Sequence, residues 1–230
     1  MGPKTRSDRP SYGRSLLSVE TTGGEGTLVN FVHLSANPAQ GLAPPDRTVT
    51  TDMDSLIEHL RRNALRTDGP FVLRSGAVSD WYLDARQTTY SGDGARLVGE
   101  AILKVLDEDA LAVGGMTMGA DPVAMSVALV GTQLGRPLRA FSIRQTAKDH
   151  GAGGRLVGPL VVGDPVAVVE DTVTTGEALL EAIDVLTESG MKVIQAISVF
   201  DRSGGLAGGR IDRRGIPFVA LLRPSDLGVE

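Results

Sequence analysis

The stretch VAVVEDTVTTGEAL at 166–179 leaves few folds open. Val166 to Val169 are apolar without alternation, as a strand covered on both faces of a parallel sheet requires. Glu170 and Asp171 follow at once, then Thr172, Val173, Thr174, Thr175 and Gly176, and then a helix opening near Glu177. Free backbone N–H groups at a helix start suit a phosphate. The threonines add hydroxyl donors, and Gly176 allows close approach of a backbone. The acids fall at the carboxyl end of the strand, where open α/β sheets bind ligands. Two carboxylates this close are costly if buried without a counter-charge. Hydroxyls of a bound sugar, or a Mg2+ ion bridging to ligand oxygens, would relieve that cost. Neither GxxxxGK(S/T) nor GxGxxG occurs in this turn, which excludes a P-loop and a dinucleotide fingerprint. The alternative is a helix-capping turn with incidental acids.

The rest of the chain repeats the strand–helix alternation. Thr51 or Asp52 can cap a helix with an apolar stripe of Met53, Leu56, Ile57, Leu60 and Leu65. FVL at 71–73 and WYL at 81–83 are short strands, and 93–106 reads as a helix. LAVGG at 111–115 is a strand ending in glycines, and Asp121 and Pro122 start a helix reaching about Leu134. LRAFSI at 138–143 is a strand, and the polar segment 144–159, with four glycines, is a mobile loop. The pattern closes with a helix over 175–189 and strands at 192–200 and 218–222. Such alternation predicts parallel βαβ units: one α/β domain over 51–230 with a small hood from elements near 51–90. Residues 1–50, dense in Gly, Pro, Ser and Thr, are expected to form a flexible extension, with a short docking strand near 28–34 as the other choice.

Composition removes several chemistries. The chain has no cysteine, which excludes disulfides, thiolate nucleophiles and thiolate metal sites. His33, His59 and His150 are too scattered to suggest a metal site. The net charge of −5 weighs against nucleic acid as a partner, because a phosphate-binding surface needs positive potential. No run approaches the 18 apolar residues of a membrane span, and no apolar core follows the basic N-terminus. A cytoplasmic protein with no membrane partner is the expectation.

Four further segments narrow the chemistry. FVLRSGAVSDWYLD at 71–84, GGMTMGADPVA at 114–124, RQTAKDHGAGG at 144–154 and the pair Asp201–Arg202 after a long strand occur in that order around the acid pair. The acid–Thr/Gly stretch resembles the ribose-diphosphate motif of type I phosphoribosyltransferases. The other four resemble, in turn, the SGxxS…Y segment, the pyrophosphate turn, the catalytic loop and the Asp-Arg pair of orotate phosphoribosyltransferases, closest to actinobacterial forms.

That resemblance implies a mostly parallel type I fold with a hood and a Mg2+-dependent transfer of ribose 5-phosphate from 5-phosphoribosyl 1-diphosphate to orotate. It places Glu170 and Asp171 at the ribose, with Mg2+ nearby but held mainly by substrate oxygens and water. Thr172 through Glu177 surround the 5-phosphate, and Gly115, Met116, Thr117, Met118 and Gly119 form the pyrophosphate turn. Arg144, Lys148 and His150 meet the leaving pyrophosphate, with Lys148, His150 and Asp171 as the catalytic groups. Arg74, Ser75, Gly76, Tyr82, Leu83, Thr174 and Arg202 surround orotate; Arg202 is the guanidinium whose fork suits its carboxylate or ring oxygens. For Trp81 and Tyr82 core packing is the competing role, since neighbouring strand residues face opposite sides. A homodimer sharing the catalytic loop is also implied.

Four positions depart from the family pattern. Gln145 stands where lysine is common, Met118 where some branches carry lysine, Arg74 where lysine often precedes Ser-Gly, and Glu177 where Gly, Thr or Ser is usual. Transfer to a different base, or a non-catalytic sensor of the sugar donor, are the other readings.

Overall fold

The computed structural model describes residues 53–72, 76, 78–148 and 154–230, and the expected N-terminal extension lies outside them. The first described elements form the hood. Helix α1 (Met53–Asn63) buries Leu56 and Leu60 completely. Leu65 of the expected stripe instead opens β1 (Leu65–Arg66), which pairs antiparallel with β4 (Tyr82–Leu83). Between them β2 (Phe71–Val72) and β3 (Val78–Ser79) form a second two-stranded ribbon. Two-residue strands have almost no ladder of their own, so the hood depends on packing against the main sheet. Trp81 supplies much of that packing. It is buried, meets Phe200 edge-on at 6.2 Å, and donates its indole N–H to the main-chain oxygen of Glu230 at 2.6 Å.

Two helices lead into the sheet. A single turn, α2 (Arg86–Thr89), was not legible in the sequence; α3 (Gly92–Leu103) was. Ser91 caps α3 by accepting from the Gly94 amide at 3.1 Å, and Leu97, Val98, Ala101 and Ile102 form its buried face. The sheet then builds from β5 (Ala112–Met116), α4 (Ala120–Gln133), β6 (Arg139–Lys148), β7 (Gly154–Val157), β8 (Pro165–Val173), α5 (Glu177–Glu188), β9 (Lys192–Asp201), α6 (Leu206–Asp212) and β10 (Phe218–Leu222). A 3₁₀ turn at Pro224–Leu227 follows.

The strand order is β10-β9-β8-β5-β6-β7, parallel except for β7. β8 lies inside the sheet, and its Val166, Ala167, Val168 and Val169 are fully buried, as their unbroken apolar run requires. Each buried valine contributes roughly 1.5–3 kcal/mol relative to exposure, so this strand is held firmly in register.

Three boundaries differ from expectation, each with a physical reason. β8 does not stop at Val169 but runs through the acid pair to Val173, because Glu170, Thr172 and Val173 keep pairing with β9. Of the expected loop at 144–159, residues 149–153 lie outside the described residues, while 144–148 and 154–157 form an antiparallel ribbon in which Ile143 pairs with Leu156 and Lys148 with Gly154. Its Gln145, Thr146 and Ala147 are exposed, so backbone hydrogen bonding holds it and the sequence carries no burial pattern to betray it. Helix α6 was also unforeseen: LAGGRID contains two helix-disfavouring glycines, but Ala207 and Ile211 anchor it in the core. Among the described residues no helix is long and apolar enough to cross a membrane.

Candidate active site

The carboxyl ends of β5 and β8 meet the turn before α5. Glu170 is buried, Asp171 partly so, and one carboxylate oxygen of Glu170, Oε2, is buried with no hydrogen-bond partner. Burial, and then the neighbouring Asp171 charge, push the Glu170 carboxyl up to about 9. Burial raises Asp171 as well, opposed by the Thr172 amide, which donates to Oδ1 at 2.6 Å, and by the positive charge of Arg86. A pair this desolvated seeks positive charge or hydroxyl donors.

The glycine turn after β5 lies directly against that pair. A Cβ built on Gly119 would sit 2.8 Å from both Glu170 Oε1 and Asp171 Oδ1, and one on Gly115 would sit 2.2 Å from the Val169 carbonyl oxygen. Glycine is therefore needed here for contact between two segments far apart in the chain. The turn is tied down from three sides. The Thr117 hydroxyl donates to Asp121 at 2.9 Å, the Thr117 amide donates to the Ile143 carbonyl at 2.9 Å, and the Tyr90 hydroxyl donates to the Met118 carbonyl at 3.3 Å. Asp121 also accepts from Ser142 at 2.6 Å, which links the turn to β6. Met116 is buried; Met118 projects into solvent.

Beyond the acids, residues 172–179 with Glu170 line a cleft of about 110 Å³ at the start of α5. Thr174 and Thr175 are exposed there, and Gly176 takes the left-handed conformation at φ +80°. Its missing side chain leaves room for α6, since a Cβ would lie 3.1 Å from that of Ala207. Glu177 points outward: its side chain is 76% exposed and its carboxylate lies 3.7 Å from Arg210.

At the other side of the acids, the Arg202 amide donates to the Val173 carbonyl at 2.9 Å, which sets this residue beside the end of β8. Its guanidinium lies 4.6 Å from the centroid of the Trp81 ring and has no ion-pair partner among the described residues. Burial lowers its pKa and the nearby Tyr82 raises it. Tyr82 is half-buried and packs 5.9 Å from Phe71, whereas the Leu83 side chain is buried in the core. Trp81 thus has the core role weighed for it, with the Arg202 guanidinium stacked on its ring. Gly76 is exposed, at φ +83°; Arg74 and Ser75 lie outside the described residues.

On the ribbon, Arg144 is half-buried and its carbonyl accepts from Arg155 at 2.7 Å. Lys148 ends β6; its side chain and His150 lie outside what is described. Three supporting residues escaped the sequence reading. Arg86, paired with Asp84 at 2.7 Å, sends its charge toward Asp171. Arg155 joins the ribbon to Glu181 of α5, and Arg210 reaches the turn before that helix. The spacing Asp84–x–Arg86 after WYL was the one available signal; nothing marked the other two.

A mostly parallel sheet whose inner strand carries a carboxylate pair near its carboxyl end, faced by a glycine turn and followed by a helix start that can hold a phosphate, is the plan of a type I phosphoribosyltransferase. No family model matches the sequence. The chain is 40% identical over 177 residues to orotate phosphoribosyltransferase of Streptomyces coelicolor, covering 76% of this chain and 96% of that one. It is 41% identical over 162 residues to the enzyme of that name from Corynebacterium glutamicum, covering 70% and 86%. Crystal structures of Mycobacterium tuberculosis orotate phosphoribosyltransferase superpose on 77% of this chain and 99% of theirs. The complex with Fe(III) dicitrate does so with a TM-score of 0.70 at 36% identity, and that with 5-phospho-alpha-D-ribosyl 1-diphosphate with 0.66 at 32%. The chain belongs to the orotate phosphoribosyltransferase family.

Proposed function

We propose that the protein transfers the 5-phosphoribosyl group of 5-phosphoribosyl 1-diphosphate to orotate, giving orotidine 5'-phosphate and pyrophosphate in pyrimidine nucleotide synthesis. The observation that supports this reading is the approach of Gly119 to Glu170 and Asp171, which sets the glycine turn after β5 against the acid pair. Sugar hydroxyls donate to the acids, the 5-phosphate occupies the cleft at the start of α5, and the diphosphate lies along residues 115–119.

The C1–O bond to pyrophosphate breaks with its electron pair leaving on oxygen, as positive charge develops on the ribose. The orotate ring nitrogen forms the new C1–N bond from the opposite face and releases its proton, inverting the anomeric centre. Charge on the leaving group is the main target of stabilisation. Arg144 and Lys148 screen it, and His150 donates a hydrogen bond or proton to it. The Arg202 guanidinium, which has no ion-pair partner among the described residues, binds the orotate carboxylate or ring oxygens, and Tyr82 forms the wall of the base site. The buried side chain of Leu83 leaves only its backbone for that role.

The acid pair also suits Mg2+. A buried carboxylate oxygen without a partner is a fitting ligand. No cluster of three His, Cys, Asp or Glu side chains exists among the described residues, so substrate oxygens and water would complete the shell. When bound, the ion supplies positive charge to the diphosphate. A homodimer sharing the catalytic ribbon is the proposed assembly; the exposed Met125 and Leu129, one turn apart on α4, support it.

The test is to mix the protein with orotate, donor and Mg2+ and follow loss of orotate absorbance alongside pyrophosphate release. Coupled loss of orotate and release of pyrophosphate is expected. Pyrophosphate release only with another base would reassign the substrate, and donor binding without any transfer would make the protein a sensor.

A further inference from the structure

We infer that Arg210 of α6 is a positioning residue for the donor's 5-phosphate, holding the turn before α5 in shape and drawing the Glu177 carboxylate away from it; this rests on the donor site proposed above. Arg210 Nη1 donates to the Thr175 carbonyl at 2.8 Å and lies 3.7 Å from Glu177 Oε1. Its side chain is 29% exposed, so the guanidinium is half withdrawn from water while it makes both contacts. α6 is pressed onto the same turn at Gly176, where a Cβ would meet that of Ala207 at a tight 3.1 Å. The turn is thus gripped on its outer side by one short helix, through a backbone contact and a cation.

The need for such a grip lies in Glu177. It is the first residue of α5, where an acidic side chain is favoured by the helix's positive N-terminal potential. A bound phosphate uses that same potential and the same free amides. Glu177 is therefore an internal competitor of the ligand, and Arg210 offers it a partner on the far side of the turn. Two further arginines use the same helix face, Arg155 on Glu181 and Arg214 on Asp184 at 2.5 Å, but neither touches the phosphate turn.

The experiment is steady-state kinetics on the full chain, with calorimetric titration of 5-phosphoribosyl 1-diphosphate and Mg2+ and thermal melting run in parallel. Arg210→Ala should raise the donor KM and Kd about tenfold, the scale of a lost charge-assisted hydrogen bond. The orotate KM and kcat should stay within about twofold, below the effect of one lost hydrogen bond. Adding Glu177→Gln to that variant should recover about threefold in donor affinity, since the uncompensated carboxylate is then gone. Arg210→Lys keeps the charge without the fork and should fall between wild type and Arg210→Ala. A donor KM unchanged in Arg210→Ala, an orotate KM rising in step with it, or no recovery on adding Glu177→Gln overturns the inference. A wild-type chain that binds donor but leaves orotate untouched overturns the base assignment alone, and the calorimetric series still decides the role of Arg210. One that binds no donor overturns both.

Discussion

The proposed donor end and the proposed base end of the site are built by different means. The donor end sits on β8 and β5, inner strands of the sheet with fully buried valines, and its turn after β5 is fixed at Gly115, where a Cβ would strike the Val169 carbonyl oxygen at 2.2 Å. The proposed base end hangs on two-residue strands of the hood and a stacked Trp81–Arg202 pair. One is held by backbone geometry, the other by side-chain packing between distant segments. Changes at the donor end should therefore be severe and act on the sugar donor. Changes at the base end should be milder and selective for orotate.

The largest expected effect is at Gly119. A methyl there must displace both carboxylates, and Gly119→Ala should lower kcat/KM for the donor about a hundredfold, as a misplacement of about 1 Å can. A thermal melt close to wild type would assign the loss to the site. Near-normal activity would break the comparison outright, because the acids would then be free to move.

Arg202→Lys sharpens the other side. Losing the planar fork and its stacking on Trp81 should raise the orotate KM about tenfold, while the donor KM stays within about twofold. Kinetics with each substrate varied in turn reads the split. A donor KM that rises in parallel would mean the two ends are not separable.

The smallest effect is on stability against pH in the donor-free protein. Glu170 has its folded pKa raised to about 9 from an ordinary carboxylate value, so the folded state binds its proton more tightly than the unfolded chain does. That contribution is fully present below the unfolded pKa and is lost as pH rises through about 9. Melting temperature should thus fall across this window, and Glu170→Gln, which stays neutral, should flatten the fall. An equally steep curve in the variant would mean that the carboxyl is already ionised in the folded protein.

Most of the donor end was legible in the chain because its parts are contiguous. Val166 to Gly176 hold strand, acids, hydroxyl turn and left-handed glycine in one run, and each element carries its own local signature. The ribbon formed by 144–148 and 154–157 was read as a loop because its order comes from strand hydrogen bonding at the sheet's edge, which needs no apolar alternation. Glu177 fell in the turn that the resemblance sets around the 5-phosphate, and its outward direction toward Arg210 could not be read from its neighbours.

Local order in the chain already settled the α/β alternation, the inner strand, the acid pair and the threonine–glycine turn before α5, since hydrophobic period and turn chemistry act over a few residues. Folding alone decided that Gly119 abuts the acids, that Arg202 lies on Trp81 while Leu83 turns into the core, and that α6 grips the turn before α5. Those contacts join segments far apart along the chain. Their partners are selected by packing of the sheet and its flanking helices, an interaction that leaves no mark on either segment by itself.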